Sequence, residues 1–110
     1  MGLFSRTLRI DPAELADRLG GRFVFVLDVR QPSEWRRGHI RGADNVPLGS
    51  VGRRLATLPR DRTVVTVCAS GHRSAGAARM LRRAGFEVEN LKGGMQAWSR
   101  QGLPVEKRRR

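Results

Sequence analysis

Residues 63–74 read TVVTVCASGHRS, and they carry the clearest indication of the fold. Its first part, Thr63–Val67, is a continuous run of β-branched residues, which is typical of a strand buried on both faces. Small residues follow Cys68, and a helical pattern begins at Arg73. A buried strand that leads through a tight loop into a helix predicts an α/β fold, in which ligands bind beyond the carboxyl ends of the strands.

Strand and helix signals alternate on both sides of this stretch. A second continuous apolar run predicts a buried strand at 23–27, and shorter strands are expected at 8–10, 43–46 and 87–91. Helices are predicted at 12–19, around Pro32 and Glu34 up to Gly38, at 51–58, at 73–84 and at 94–100. This alternation predicts βαβ units and a mainly parallel sheet.

The first predicted helix carries the clearest start signal. Asp11 is the expected N-cap, Pro12 occupies the first helical position, and Glu14 follows three residues after the cap. Gly20 and Gly21 are expected to end this helix.

Length and composition indicate one domain. The chain has 110 residues, of which 39% are hydrophobic, enough for a single core. The longest apolar stretch, 23–27, is far shorter than the roughly 20 residues that a membrane-spanning helix needs. The first residues have no apolar region behind a basic segment, so a cytoplasmic protein is expected. The single cysteine cannot form an internal disulfide.

The charge balance is strongly basic. Twenty-two Lys and Arg against ten Asp and Glu give a net charge of +12. A basic surface attracts anions, so a small anion, an acidic protein or nucleic acid are all candidate partners, and a merely solvated surface is the simpler alternative. Nucleic acid is disfavoured, because no recognised motif is present and the chain has no Tyr.

The expected domain organisation has three parts. Residues 1–7 are an N-terminal extension, residues 8–105 are the folded domain, and residues 106–110 are a basic tail that we expect to be disordered. A monomer or a weak homodimer is expected.

Cys68 is the candidate nucleophile. The N–H groups of the small-residue turn after it would point inward, and the start of the following helix adds its positive dipole end. We therefore expect a stabilised thiolate with a pKa below the free value of about 8.5. The alternative is that Cys68 is simply a small apolar residue at the end of a buried strand.

The other residues of this loop have open roles. His72 either assists proton transfer or points into solvent. Arg73 either binds an anionic substrate or braces the loop through a carboxylate. Ser74 either donates a hydrogen bond to the sulfur or caps the helix. The predicted substrate-binding loop consists of six residues: Ala69, Ser70, Gly71, His72, Arg73 and Ser74.

Four stretches, in order, resemble the rhodanese homology domain, and the resemblance covers about 8–105. They are Asp28-Val29-Arg30 with Glu34-Trp35, the run 38–48 (GHIRGADNVPL), the loop 68–74 (CASGHRS), and 91–98 (LKGGMQAW) with Gly102-Leu103-Pro104.

The resemblance implies a five-stranded, mainly parallel sheet with helices on both faces. It implies a sulfurtransferase in which Cys68 accepts a sulfane sulfur from a donor such as thiosulfate and passes it, as a persulfide, to cyanide or a thiol. An acidic protein is a further possible acceptor. No cofactor and no metal are implied.

The same resemblance implies supporting roles for residues outside the loop. Asp28 and Arg30 are expected to brace the loop region through buried polar contacts. His39 and Asn45 are expected to fix turns by hydrogen bonding, and Trp98 is expected to pack in the core.

The residues of the loop disfavour two other functions. A phosphatase or arsenate reductase is disfavoured, because four residues separate Cys68 from Arg73 where the phosphatase pattern has five, and the loop has no Asp to act as a general acid. A non-catalytic binding or sensor module is disfavoured because the cysteine is retained. Ala69 departs from the Arg or Lys that relatives often carry there, which weakens the case for thiosulfate in particular.

Overall fold

A computed structural model describes residues 8–21 and 23–108, and its strands form one parallel sheet. The five strands are β1 (Leu8–Ile10), β2 (Val24–Asp28), β3 (Asp44–Asn45), β4 (Thr63–Val67) and β5 (Val88–Leu91). The helices are α1 (Pro12–Arg18), α2 (Pro32–Arg37), α3 (His72–Arg83) and α4 (Gly94–Arg100), and a 3₁₀ helix spans Leu48–Thr57. The spatial order β1-β5-β4-β2-β3 puts β4 at the centre, and every pair is parallel.

Helices cover both faces of the sheet. Side chains alternate along β4, so that Val65 and Val67 pack on the face covered by α1 and α4, whereas Val64 packs on the face covered by α3 and the 3₁₀ helix. Trp98 is buried in the first of these layers. The predicted fold class, a five-stranded parallel sheet flanked by helices, is confirmed.

One predicted helix differs from the structure. The segment predicted as a helix at 51–58 is a 3₁₀ helix that begins earlier, at Leu48. Gly49 and Gly52 disfavour the α conformation, and the first turn closes with the tighter Ser50 N–H to Pro47 carbonyl bond at 2.7 Å. Asp11 is the N-cap of α1, as predicted, although its side chain makes no capping hydrogen bond.

The carboxyl end of the described chain has backbone hydrogen-bond partners. Glu106 forms an antiparallel bridge with His39, through backbone hydrogen bonds of 2.8 and 2.9 Å, and the Arg108 N–H donates to the Arg36 carbonyl at 3.0 Å. Composition does not reveal these contacts, and disorder of the tail 106–110 stays a prediction. Residues 109–110 and the extension 1–7 lie outside the described residues.

The topology brings the candidate residues to one edge. In a parallel sheet all carboxyl ends meet on the same side, so the ends of β2, β4 and β5 carry Asp28, Cys68 and Asn90 to neighbouring positions. Among the described residues, no helix is long and apolar enough to cross a membrane.

Candidate active site

Cys68 lies where β4 ends and is buried, with 1% of its surface exposed. The loop that follows turns back at Gly71, whose φ of 97° lies in the left-handed region that favours glycine. An added Cβ at Gly71 would also lie 3.4 Å from the Leu91 carbonyl oxygen. The turn starts α3 immediately and directs backbone N–H groups inward, towards the sulfur.

Hydrogen bonds from the loop converge on the sulfur, three of them from Gly71 and Ser74. Cys68 Sγ accepts from the Gly71 N–H at 3.1 Å, from the Ser74 N–H at 3.3 Å and from the Ser74 hydroxyl at 3.3 Å. Burial raises the pKa of the Cys68 thiol, but the bonds from Ser74, Gly71 and the backbone of Ser70 outweigh burial, so the pKa lies below its ordinary value. The thiolate, which is the nucleophilic form, is thereby favoured.

The start of α4 supports the loop from behind. The Met95 N–H donates to the Cys68 carbonyl at 2.8 Å, and the Gln96 N–H donates to the Ala69 carbonyl at 2.9 Å. The unpaired N–H groups of a helix start are thus satisfied by the loop itself. A Cβ at Gly94 would collide with the Cys68 carbonyl oxygen and lie 2.7 Å from the Ala69 carbonyl carbon, so this close approach requires glycine.

A buried polar chain reaches the loop from the sheet. The Thr66 hydroxyl donates to Asn90 Oδ1 at 3.0 Å, and Asn90 Nδ2 donates to the Gly71 carbonyl at 3.0 Å. Thr66 and Asn90 are both buried, on neighbouring strands. Asn90 therefore holds the residue whose N–H bonds the sulfur. Sequence reasoning missed Asn90, although an amide near the carboxyl end of a predicted strand was a usable signal.

Arg73 is paired with a carboxylate. Its guanidinium donates to Glu34 Oε1 at 2.9 Å and to Oε2 at 3.0 Å. These bonds lower the pKa of Glu34 from 4.5 to about 2 despite the opposing effect of burial, and the same pair raises the pKa of Arg73. Of the two roles open to Arg73, the geometry favours bracing. The partner, Glu34, was noted in a motif but its role was missed.

Asp28 and Arg30 form a second, fully buried brace. Arg30 Nε and Nη2 donate to the Asp28 carboxylate at 2.7 to 3.1 Å, and Nη2 also donates to the Gly38 carbonyl at 2.7 Å. Asn45 Nδ2 donates to the carbonyls of both Asp28 and Arg30, at 3.1 and 2.9 Å. The arrangement ties the end of β2 to the end of α2, the helix that carries Glu34.

Some predicted residues lie apart from the sulfur. The side chains of Ser70 and His72 are exposed, and neither makes a described hydrogen bond to Cys68. Ala69 is half-buried. His39 is buried at the end of α2, where its ring stacks on Trp35 with 3.9 Å between centroids. Within the described residues, no group of three or more His, Cys, Asp or Glu side chains could hold a metal.

Comparisons with known proteins agree with this fold. The family model for the rhodanese-like domain matches residues 11–101. A sulfurtransferase of Allochromatium vinosum is 40% identical over 98 residues, which cover 87% of this chain and 92% of that protein. The crystal structure of a rhodanese-related protein from Thermoplasma volcanium superposes with a TM-score of 0.85 at 33% identity, covering 90% of this chain and 97% of that one. The chain therefore belongs to the rhodanese-like domain family, as the four sequence stretches predicted.

Relatives also include larger proteins. The probable adenylyltransferase/sulfurtransferase MoeZ of Mycobacterium tuberculosis is 44% identical over 99 residues, but the chain spans only 25% of its length. At the level of the family, the relatives named as sulfurtransferases support a transferase.

Proposed function

We propose that this domain is a sulfurtransferase in which Cys68 carries a sulfane sulfur as a persulfide. The observation that carries the proposal is the convergence of three hydrogen-bond donors on a buried Sγ. Such a ring stabilises negative charge on sulfur. It suits the attacking thiolate and the anionic persulfide alike.

Each half of the proposed reaction exchanges one bond. The Cys68 thiolate attacks the outer sulfur of a donor such as thiosulfate, the sulfur–sulfur bond of the donor breaks, and sulfite leaves with the electron pair. An acceptor thiolate or cyanide then attacks the outer sulfur of the persulfide, and the Cys68 thiolate leaves. With one cysteine in the chain, no internal thiol can release the sulfur, so ping-pong kinetics are expected.

The surrounding residues act on charge and position. The Gly71 N–H and both Ser74 donors hold the negative sulfur, as substrate-binding elements of the loop. Arg73 is oriented by Glu34 and interacts electrostatically with Cys68, so it adds positive potential beside the sulfur. Because Ala69 contributes no cation, we propose persulfide chemistry with thiosulfate as only one of the candidate donors.

The geometry also bears on the phosphatase alternative. A phosphatase needs the guanidinium of its loop arginine for the phosphoryl oxygens. Here two guanidinium nitrogens of Arg73 already bind Glu34.

A reactive thiol kept reduced suits the cytoplasm, which is the location we propose.

Intact mass spectrometry tests the proposal. The protein is incubated with thiosulfate, and separately with an organic persulfide donor, and then weighed. A gain of one sulfur atom that disappears on adding cyanide, and that is absent in Cys68→Ser, is the expected result. The absence of any adduct with every donor would leave the non-catalytic binding module as the better account. Turnover of an aryl phosphate by the same sample would favour the phosphatase.

A further inference from the structure

An open, positively charged groove of about 730 Å³ lies beside the active-site loop. Three cations line it, Arg9 from β1, Arg79 from α3 and Lys92 just after β5. Its other walls come from Asp11, Ala75 and Asn90.

The groove lies between α3 and β1, the strand at the edge of the sheet. Helix α3 packs on β4 and β5, and β1 lies beyond them at the edge of the sheet. Ile10 points into the layer under α1 and α4, so Arg9, its neighbour on the strand, points to the opposite face. Arg9 is in register with Asn90 and is exposed. The result is a trough between α3 and the sheet edge.

The three cations lack partners within the described part of the chain. Arg9, Arg79 and Lys92 are exposed, and the described ion pairs use other cations: Arg18, Arg30, Arg62 and Arg73. Asp11 is the one acidic residue among those that line the groove. A groove with an excess of unpaired positive charge attracts anionic ligands.

The wall of the groove is also part of the active site. Asn90 Nδ2 donates to the Gly71 carbonyl at 3.0 Å, and the Ala75 N–H donates to the same carbonyl at 3.3 Å. On its other side, the Gly71 N–H donates to Cys68 Sγ. A ligand in the groove would therefore be separated from the sulfur by the width of one loop.

We propose that this groove binds a carboxylate-rich segment of a protein that accepts the sulfur from Cys68. The part played in sulfur transfer rests on the proposed function, whereas docking of the acidic segment does not. Protein is favoured over nucleic acid, because no aromatic side chain lines the groove to stack on a base. Leu8, which is exposed in the same wall, offers an apolar contact that suits a peptide.

The binding test uses two variants of equal charge on a Cys68→Ser background, which excludes chemistry. The groove variant carries Arg9→Gln, Arg79→Gln and Lys92→Gln. The control variant carries Arg53→Gln, Arg83→Gln and Arg100→Gln, which remove the same charge from exposed positions outside the lining of the groove. The probe is a fluorescent peptide rich in Asp and Glu, with Ser at the acceptor position, and its affinity is followed by anisotropy.

The groove variant is expected to bind the acidic peptide about tenfold more weakly, since each exposed ion pair is worth roughly twofold. The control variant is expected to match the parent, and the difference should vanish near 1 M salt, where the Debye length is about 3 Å. Equal losses in both variants would overturn the proposal, because they would show a nonspecific charge effect. A single-stranded oligonucleotide that binds more tightly than the peptide, and is lost in the groove variant, would overturn it in favour of nucleic acid.

A second arm connects the groove to catalysis. Persulfide-loaded protein with Cys68 intact is discharged by an acidic peptide thiol or by β-mercaptoethanol. The groove variant should slow discharge to the peptide about tenfold and leave the small neutral thiol unaffected. If both rates are unchanged, the groove has no part in acceptor recognition. If no persulfide forms at all, the proposed function fails, and the anisotropy measurement still decides whether the groove binds acidic segments.

Discussion

Removing the Ser74 hydroxyl is expected to raise the pKa of the Cys68 thiol and so to slow its alkylation about tenfold at low pH. Ser74 is 0% exposed, and its hydroxyl donates to Sγ at 3.3 Å, while its N–H makes a separate bond to the same sulfur. Ser74→Ala deletes the hydroxyl and keeps the N–H, with almost no change of shape. A hydrogen bond to a charged group is worth about 1.5–3 kcal/mol, and a sulfur acceptor falls at the lower end. A loss of about 1.4 kcal/mol lowers the fraction of reactive thiolate about tenfold at a pH below the thiol pKa.

The assay is the rate of Cys68 alkylation by iodoacetamide as a function of pH. The midpoint of the profile reports the thiol pKa, because only the thiolate reacts. Below both midpoints the variant should react about tenfold more slowly, and at high pH the two rates should converge. Ser70→Ala is the matched control, since the Ser70 side chain is exposed and makes no described hydrogen bond to the sulfur.

The same change has a consequence for stability with a defined sign. Because folding lowers the pKa of Cys68, its thiolate stabilises the folded state fully above the unfolded-state pKa of about 8.5, and this contribution is lost as the pH falls through the folded-state value. Ser74→Ala should therefore cost about 1 kcal/mol more at high pH than at low pH. An alkylation midpoint that does not move, or that moves equally in Ser70→Ala, would refute the role assigned to the hydroxyl.

The other predictions concern the supports of the loop. Asn90→Leu removes the donor to the Gly71 carbonyl, so the thiol pKa measured by alkylation should rise, and the free energy of unfolding in urea should fall by about 1–3 kcal/mol. Glu34→Gln removes the ion pair with Arg73, whose stabilisation is complete above pH 4.5 and is lost towards pH 2. Unfolding at pH 6 should become easier by about 1 kcal/mol, and wild type and variant should converge near pH 2; a constant difference would contradict this account. Gly94→Ala forces a Cβ against the Cys68 carbonyl, so circular dichroism should show a lowered melting temperature together with loss of thiol reactivity, whereas the exposed Gly20→Ala should change neither.

The sequence predicted most of the architecture because its signals are local. The β-branched and aromatic composition of the runs at 23–27 and 63–67 by itself predicts buried strands. In the structure β2 and β4 lie within one residue of those bounds. The segment 51–58 was misread, since apolar residues at 51, 55 and 58 follow the α-helical spacing, whereas Gly49 and Gly52 disfavour that conformation. The backbone contacts of 106–108 have no local signal, because their partners, His39 and Arg36, are far away in the sequence.

The candidate site likewise combines contacts that are local in the sequence with contacts that are distant in it. By itself the sequence identified Cys68 and its loop, because the donors to the sulfur, Gly71 and Ser74, lie three and six residues away and belong to one turn. The contacts that hold this turn in place depend on the tertiary structure. Glu34 reaches Arg73 across 39 residues and Asn90 reaches Gly71 across 19, so no local spacing encodes either contact. The basic groove likewise depends on where α3 packs, since a charge in the sequence becomes part of a surface only when the sheet places its neighbours beside it.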